Sequence, residues 1–294
     1  MGEYAVLYGI DALCIPLKAG QEMLVQDSSD NHIHWSWKYK DRYLADFILH
    51  AQTLEVIACR YGDPSWVIRL INLVREVSED FLKDKGRIIR FDNHFPPEWG
   101  LGSSSATISS VCRYAGVDAY GVNELLTGGS GADIAATTAH EWFIYRKMQP
   151  TPVTWPLPLT YNLADNTWFI YSGMKQATAA HLSEVKSAEN TFNKSLLPHV
   201  NWLVYKFLTA TGLPELSKII QDHESLIGQL IGKTPAGASF SDFPGKIKSL
   251  GAWGGDFLMA VSQQDDAFVK AYFADHGYKD VFSWETFTNE SFLE

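Results

Sequence analysis

The chain has 294 residues, of which 46% are hydrophobic, and its 34 acidic against 24 basic side chains give a formal net charge of -10. This composition can bury a large core, and the lack of any basic block or aromatic-basic stripe argues against nucleic acid as the main partner. Cys14, Cys59 and Cys112 show no paired spacing, no run approaches the roughly 18 apolar residues of a membrane span, and the first residues do not form a signal peptide, so a cytoplasmic protein with reduced thiols and no membrane partner is expected.

Taken in order, Glu3 to Leu7 alternates like a strand closed by Gly9, and Gln21 to Gln26 reads as a second strand after the turn from Pro16 to Gly20. His32 and His34 share one face of a further strand at a spacing that suits a metal, but no third ligand has a recognisable spacing, and a structural role is expected. Ser65 to Lys83 predicts an amphipathic helix with Val67, Ile68, Ile71, Val74, Val77 and Phe81 on one side, started by Asp63-Pro64 and ended by Gly86.

Arg87 to Phe91 predicts a half-buried strand, and Ser105 to Ala115 a helix. Between them lies Phe95-Pro96-Pro97-Glu98-Trp99-Gly100-Leu101-Gly102-Ser103-Ser104-Ser105-Ala106. Its glycines let the backbone approach a ligand, and the free N–H groups of a helix start would point at an anion. A serine-capped helix after a glycine turn fits the same residues. The loop is not a Walker A sequence, since no Lys follows its last glycine, and it lacks the third glycine of a dinucleotide fingerprint. Nor does Gly128-Gly129-Ser130-Gly131-Ala132 complete a hydrolase elbow, because Ala132 stands at the last glycine.

Val117 to Leu126 predicts a helix, after which Gly128, Gly129 and Gly131 bring the chain round to Asp133. Asp133 suits either chemistry or the N-cap of a helix from Ile134 to His140. Trp142 to Met148 predicts a buried strand, and the proline-rich Thr151 to Pro158 a connector. Thr167 to Tyr171 predicts a strand, Ser187 to Ala210 and Leu213 to Ile231 long helices, Asp256 to Val261 an apolar strand, Asp265 to His276 an amphipathic helix, and Val281-Phe282 an edge strand. Strands and helices without regular alternation point to α+β layers.

Three ordered motifs carry a resemblance. Pro96-x-x-x-Gly100-Leu101-Gly102-Ser103-Ser104-x-Ala106 resembles the second signature of the galactokinase, homoserine kinase, mevalonate kinase and phosphomevalonate kinase (GHMP kinase) superfamily. Gly2-Glu3-Tyr4-Ala5-Val6-Leu7-Tyr8-Gly9 resembles the first, and Lys248-Ser249-Leu250-Gly251-Ala252-Trp253-Gly254-Gly255-Asp256 the third. Within the superfamily, Gly129-Ser130-Gly131-Ala132-Asp133-Ile134-Ala135 looks closest to the Gly-Tyr-Asp-Ile-Ala group of bacterial members, with Ala132 in place of the tyrosine.

The resemblance implies an α+β, two-layer GHMP-kinase-like fold, with a ribosomal-protein-like β/α domain over residues 1–155 and a ferredoxin-like domain over 156–294. It implies ATP and Mg²⁺ as cofactors, a small-molecule acceptor, and transfer to mevalonate or phosphomevalonate; a sugar or homoserine kinase and a non-catalytic nucleotide sensor are the alternatives. A homodimer is one assembly compatible with it. Asp133 would be the base or orienting group. Pro96, Gly100, Leu101, Gly102, Ser103, Ser104 and Ser105 would hold the nucleotide, while Glu3, Tyr4, Gly131, Thr178, Gly251, Ala252 and Gly254 would lie on the substrate side. Ser103 and Glu124 are the candidate metal ligands, although a solvated glutamate on a helix face explains Glu124 equally well. In the superfamily a lysine-bearing strand precedes the first signature; here Met1 falls almost on that motif, and Lys175 is the candidate for the missing positive charge or a surface lysine. Trp253 replaces a glycine of the usual third pattern and would wall the pocket for a specialised acceptor.

Overall fold

The computed structural model describes residues 1–156, 162–173, 193–251 and 256–288. The fold is α+β, and its residues gather into two compact units interleaved in sequence: residues 1–18, 98–100 and 138–294 in one, and 19–97 with 101–137 in the other. The first unit thus draws on both sides of the 155/156 boundary implied by the resemblance.

The unit built on residues 19–137 contains one five-stranded sheet. Its strands are β2 (Gln21–Asp27), β3 (His32–Tyr39), β4 (Arg42–His50), β5 (Val56–Tyr61) and β6 (Arg87–Asn93), in the order β2-β6-β3-β4-β5. Only β3 and β6 pair in parallel. Alternation decides the buried face, since period-two side chains put Ile33 and Trp35, Phe47 and Leu49, and Ile89 and Phe91 on one side. These residues share one core with α1 (Ser65–Val77), α2 (Ser103–Ala115) and α3 (Ala119–Thr127), through Leu70, Ile71, Ile108, Val111 and Val122. Trp35 lies 4.9 Å from Phe91, centroid to centroid, at its centre.

The helix expected to reach Lys83 stops at Val77, because Ser78 adopts φ -124, ψ 82. The Arg75 guanidinium holds the turn that follows: it donates to the carbonyls of Phe81, Leu82, Ala51 and Gln52, and the N–H groups of Phe81 and Lys83 find the Ser78 and Asp80 carbonyls. Phe81 still reaches the core, but from this turn, while Val77 is left 72% exposed.

In the other unit, β1 (Ala12–Cys14), β7 (Phe143–Arg146) and β8 (Val153–Pro156) form an antiparallel sheet, ordered β1-β7-β8. The expected connector therefore contains a strand: Pro156 ends it opposite Phe143, at an edge where a missing N–H is tolerated. A second antiparallel sheet runs β10-β11-β9-β12, from β9 (Thr167–Tyr171), β10 (Gly245–Leu250), β11 (Phe257–Ser262) and β12 (Val281–Ser283). All six residues of β11 are buried, as its continuous apolar run dictates. Helix α5 (Leu197–Thr209) packs on α6 (Leu213–Ile231), α6 packs on β10, and α7 (Asp266–Asp275) is capped by the Asp265 carboxylate, which accepts from the N–H of Phe268. Residues 187–192 of the helix expected to begin at Ser187 lie outside the described residues.

The strand expected over Glu3 to Leu7 is instead a 3-10 turn, Ala5–Tyr8. Its flanks explain the difference: Gly2, Tyr4 and Gly9 all take positive φ (87°, 59° and 80°), which an extended strand excludes. Among the described residues no helix is long and apolar enough to cross a membrane.

Candidate active site

The site is built around the start of α2. The helix begins at Ser103, two residues earlier than expected, and Gly102 at φ 77 precedes it. No side chain caps this end; the first closing bond is the N–H of Ala106 donating to the Gly102 carbonyl. The serines therefore sit inside the first turn, where their N–H groups lack the helical partners that later residues have. A 13-residue helix in this state presents donors and a partial positive charge to an anion. A Cβ added at Gly102 would meet nothing closer than the Asp133 Cβ at 3.9 Å, so its backbone conformation, not crowding, demands glycine. Gly102→Ala is expected to cost about 1 kcal/mol of stability, measured by urea unfolding; no loss would mean the turn relaxes.

Asp133 comes from α4 (Ala132–Ala136). The expectation that it caps a helix from Ile134 is corrected: Gly131, at φ 86, is the cap residue, and Asp133 stands in the first turn. The glycine-rich approach lets the chain reverse just before the carboxylate, and the Thr137 hydroxyl at the other end of α4 ties it to Ser109 of α2 (2.7 Å). Asp133 keeps solvent-accessible surface, so a ligand can reach it. Protein packed around it at longer range nevertheless desolvates the carboxyl group and raises its pKa. An accessible carboxylate of raised basicity thus stands beside an uncapped helix start.

Glu124 lies exposed on α3. Among the described residues, no three His, Cys, Asp or Glu side chains are grouped to hold a metal by themselves. Ser103 is the first residue of α2.

In the other unit, Trp99 packs on Tyr171, Phe257 and Phe282 at centroid distances of 6.0, 5.8 and 5.0 Å, and the Tyr171 hydroxyl donates to the Glu98 carbonyl at 3.0 Å. A Cβ on Gly100 would lie 1.9 Å from the Asp256 carboxylate. Residues 98–100 are thereby fixed to the β9-β11-β12 sheet by aromatic packing.

Glu3 and Tyr4 are placed differently from each other. Tyr4 is buried with Ala5, Leu197, Val200, Ile227 and Leu230. The Glu3 carboxylate pairs with the Lys248 ammonium at 2.5 Å, and Lys248 is only 1% exposed. Lys248 also donates to the Ser249 carbonyl (2.8 Å) and stands 3.8 Å from Glu224. His223, fully buried, accepts the Gly2 N–H at Nε2 (3.0 Å), so its proton sits on Nδ1. Burial is the largest single influence on Glu3 and raises it, yet Lys248, the Met1 ammonium and His223 together outweigh burial and hold the carboxyl well below the usual range. Burial dominates at Glu224 and pushes it up to about 7 despite Lys248. At Glu224 the folded protein keeps a proton that the unfolded chain releases near 4.5, so its contribution to stability falls as pH rises from about 4.5 to about 7. Glu224→Gln should therefore match wild type at low pH and exceed it by about 3 kcal/mol above pH 7 in calorimetric unfolding; a pH-independent difference would refute this.

His223, Glu224 and Lys248 had no assigned charge role in the sequence reading. The available signal was two polar residues on the apolar stripe of α6, flanked by buried Ile219, Ile220 and Ile227. Gly251 follows β10 at φ 65. Lys175, Thr178, Ala252 and Gly254 lie outside the described residues.

No protein-family model and no curated protein sequence matches the chain. Solved structures do. Phosphomevalonate kinase of Streptococcus pneumoniae, in complex with phosphomevalonate and AMPPNP, superposes with a TM-score of 0.71 at 15% identity, covering 96% of each chain. Mevalonate kinase of Methanococcus jannaschii gives 0.67 at 16%, covering 96% of this chain and 93% of that one. A D-glycero-D-manno-heptose 1-phosphate kinase from Bacteriodes thetaiotaomicron gives 0.64 at 14%, covering 97% and 89%. The chain has the GHMP kinase fold. The Glu3–Lys248 ion pair joins two of the three stretches that carry the motif resemblance.

Proposed function

We propose that this chain is a GHMP-type kinase that transfers the γ-phosphoryl group of ATP to a small-molecule acceptor. The observation that carries the reading is the solvent-accessible Asp133, whose Cβ lies 3.9 Å from the position of a Gly102 Cβ, at the uncapped start of α2. The main-chain N–H groups of residues 101–105 would hold the anionic tail of the nucleotide. Phosphoryl transfer asks little covalent chemistry of a protein, so positioning and charge neutralisation dominate, and Asp133 would accept the acceptor's proton as the new bond forms. Its raised pKa suits that role, because desolvation makes the carboxylate the stronger base. Mg²⁺, when bound, supplies neutralisation of the phosphate oxygens; the Ser103 hydroxyl and Glu124 are the protein oxygens offered to it. Lys175, Thr178, Ala252 and Gly254 keep their proposed catalytic and substrate-side roles by motif alone.

Mevalonate or phosphomevalonate is the proposed acceptor class, supported by the motifs and by the acceptors named for two structural neighbours. The heptose-phosphate kinase neighbour supports a sugar as the second candidate. Placement in the Gly-Tyr-Asp-Ile-Ala group rests on residues 129–135 alone. AMPPNP titration and coupled ADP release with mevalonate, phosphomevalonate, homoserine, galactose and heptose phosphates test the reading. Saturable nucleotide binding with ADP formed on one acceptor class is expected. Binding without turnover would favour a sensor, and no binding would remove the kinase reading.

A further inference from the structure

The first-signature turn is held in a shape it would not adopt alone. Tyr4 has φ 59, outside the regions favoured by residues with a side chain, and a Cβ on Gly2 would lie 2.4 Å from the Asp11 carbonyl oxygen. Internal bonds run from the N–H of Val6 to the Gly2 carbonyl (3.0 Å) and from that of Leu7 to the Tyr4 carbonyl (3.1 Å). Two side chains far along the sequence secure its start: His223 accepts the Gly2 N–H, and Lys248 grips the Glu3 carboxylate.

The grip is costly. Lys248, His223 and Glu224 are all less than one-tenth exposed, and Glu3 Oε2 and His223 Nδ1 have no hydrogen-bond partner. Buried ion pairs are commonly replaceable by apolar residues without loss of stability, so stability alone does not account for this one; fixing a single backbone arrangement does. Lys248 stands on β10, an edge strand of its sheet that is paired along its length with β11 and covered by α6, and at 1% exposure it is a fixed post for a strained turn.

We propose that Lys248 is a positioning residue: through Glu3 its buried ammonium keeps the Gly2–Tyr8 turn in the one arrangement that meets the phosphoryl acceptor. Glu3 thereby acts as the tie and not as a ligand contact. This rests on the kinase reading above, and on the resemblance that puts the turn on the substrate side.

The test uses the full chain as wild type, Lys248→Arg, Lys248→Met and the double variant Glu3→Gln/Lys248→Met, which removes both buried charges and guards against simple unfolding of the single variant. Hydrogen exchange at the amides of residues 2–9 is expected to accelerate in the double variant by on the order of tenfold or more, with α6 still protected. The acceptor KM is expected to rise on the order of tenfold to a hundredfold, with the KM for ATP unchanged and Lys248→Arg recovering part of the loss. Wild-type exchange in the turn, or an unchanged acceptor KM, overturns the proposal. Should wild type turn over no acceptor, the kinase reading falls, and the exchange measurement alone decides whether Lys248 sets the turn.

Discussion

Asp133→Asn is expected to lower kcat by about 10²- to 10⁴-fold, the range lost with a general base, while AMPPNP binds as well as to wild type or more tightly. The direction follows from charge: a carboxylate beside an anion-binding helix start repels the phosphates it helps to react, and an amide of the same shape does not. Stability gives an independent sign. Because desolvation raises the folded-state pKa of Asp133, the native protein retains a proton that the unfolded chain gives up near 3.8. The contribution of this group to stability thus falls as pH climbs past 3.8 and levels off above the raised pKa, so the asparagine variant should be the more stable at neutral pH. Single-turnover kinetics, calorimetric titration and thermal unfolding measure the three quantities. An equal fall in kcat and in AMPPNP affinity, with lower stability, would reassign Asp133 to a structural role.

Lys248→Met should destabilise the protein by about 3 kcal/mol, because it removes the nearer of the two cations on the largely buried Glu3 carboxylate and leaves only the Met1 ammonium, 3.6 Å away. For a chain of this size that lowers the melting temperature by on the order of 10 °C in calorimetry. Adding Glu3→Gln should recover most of the loss, since it is the uncompensated charge, and not the missing contact, that costs most. A loss below about 1 kcal/mol would show that water reaches the pair and that it behaves like a surface salt bridge.

Elements defined by their own periodicity were legible in the residues. Leu213–Ile231 and Thr167–Tyr171 form over the spans expected, and the strand from Arg87 and the helix after the Gly102 turn appear with their starts or ends moved by only two residues. Local rules misjudged the places where distant groups decide. The run after Glu3 alternates like a strand, but burial of Tyr4 and Ala5 against α5 and α6, together with the tie to Lys248, makes it a turn. Likewise Arg75 binds the Phe81 and Leu82 carbonyls and so holds the chain after α1 in a turn.

The sequence by itself determined the α+β class, the glycine turn before α2 and the approach to Asp133, because glycine freedom, alternation and helix periodicity act over a few residues. Only the tertiary structure decided that Asp133 belongs beside Gly102, that Lys248 is sealed against Glu3, and that the two units draw on interleaved stretches of the chain. Pairings across 31 or 245 positions carry no local signature, since their energies arise from desolvation and charge that exist only once the chain has closed on itself.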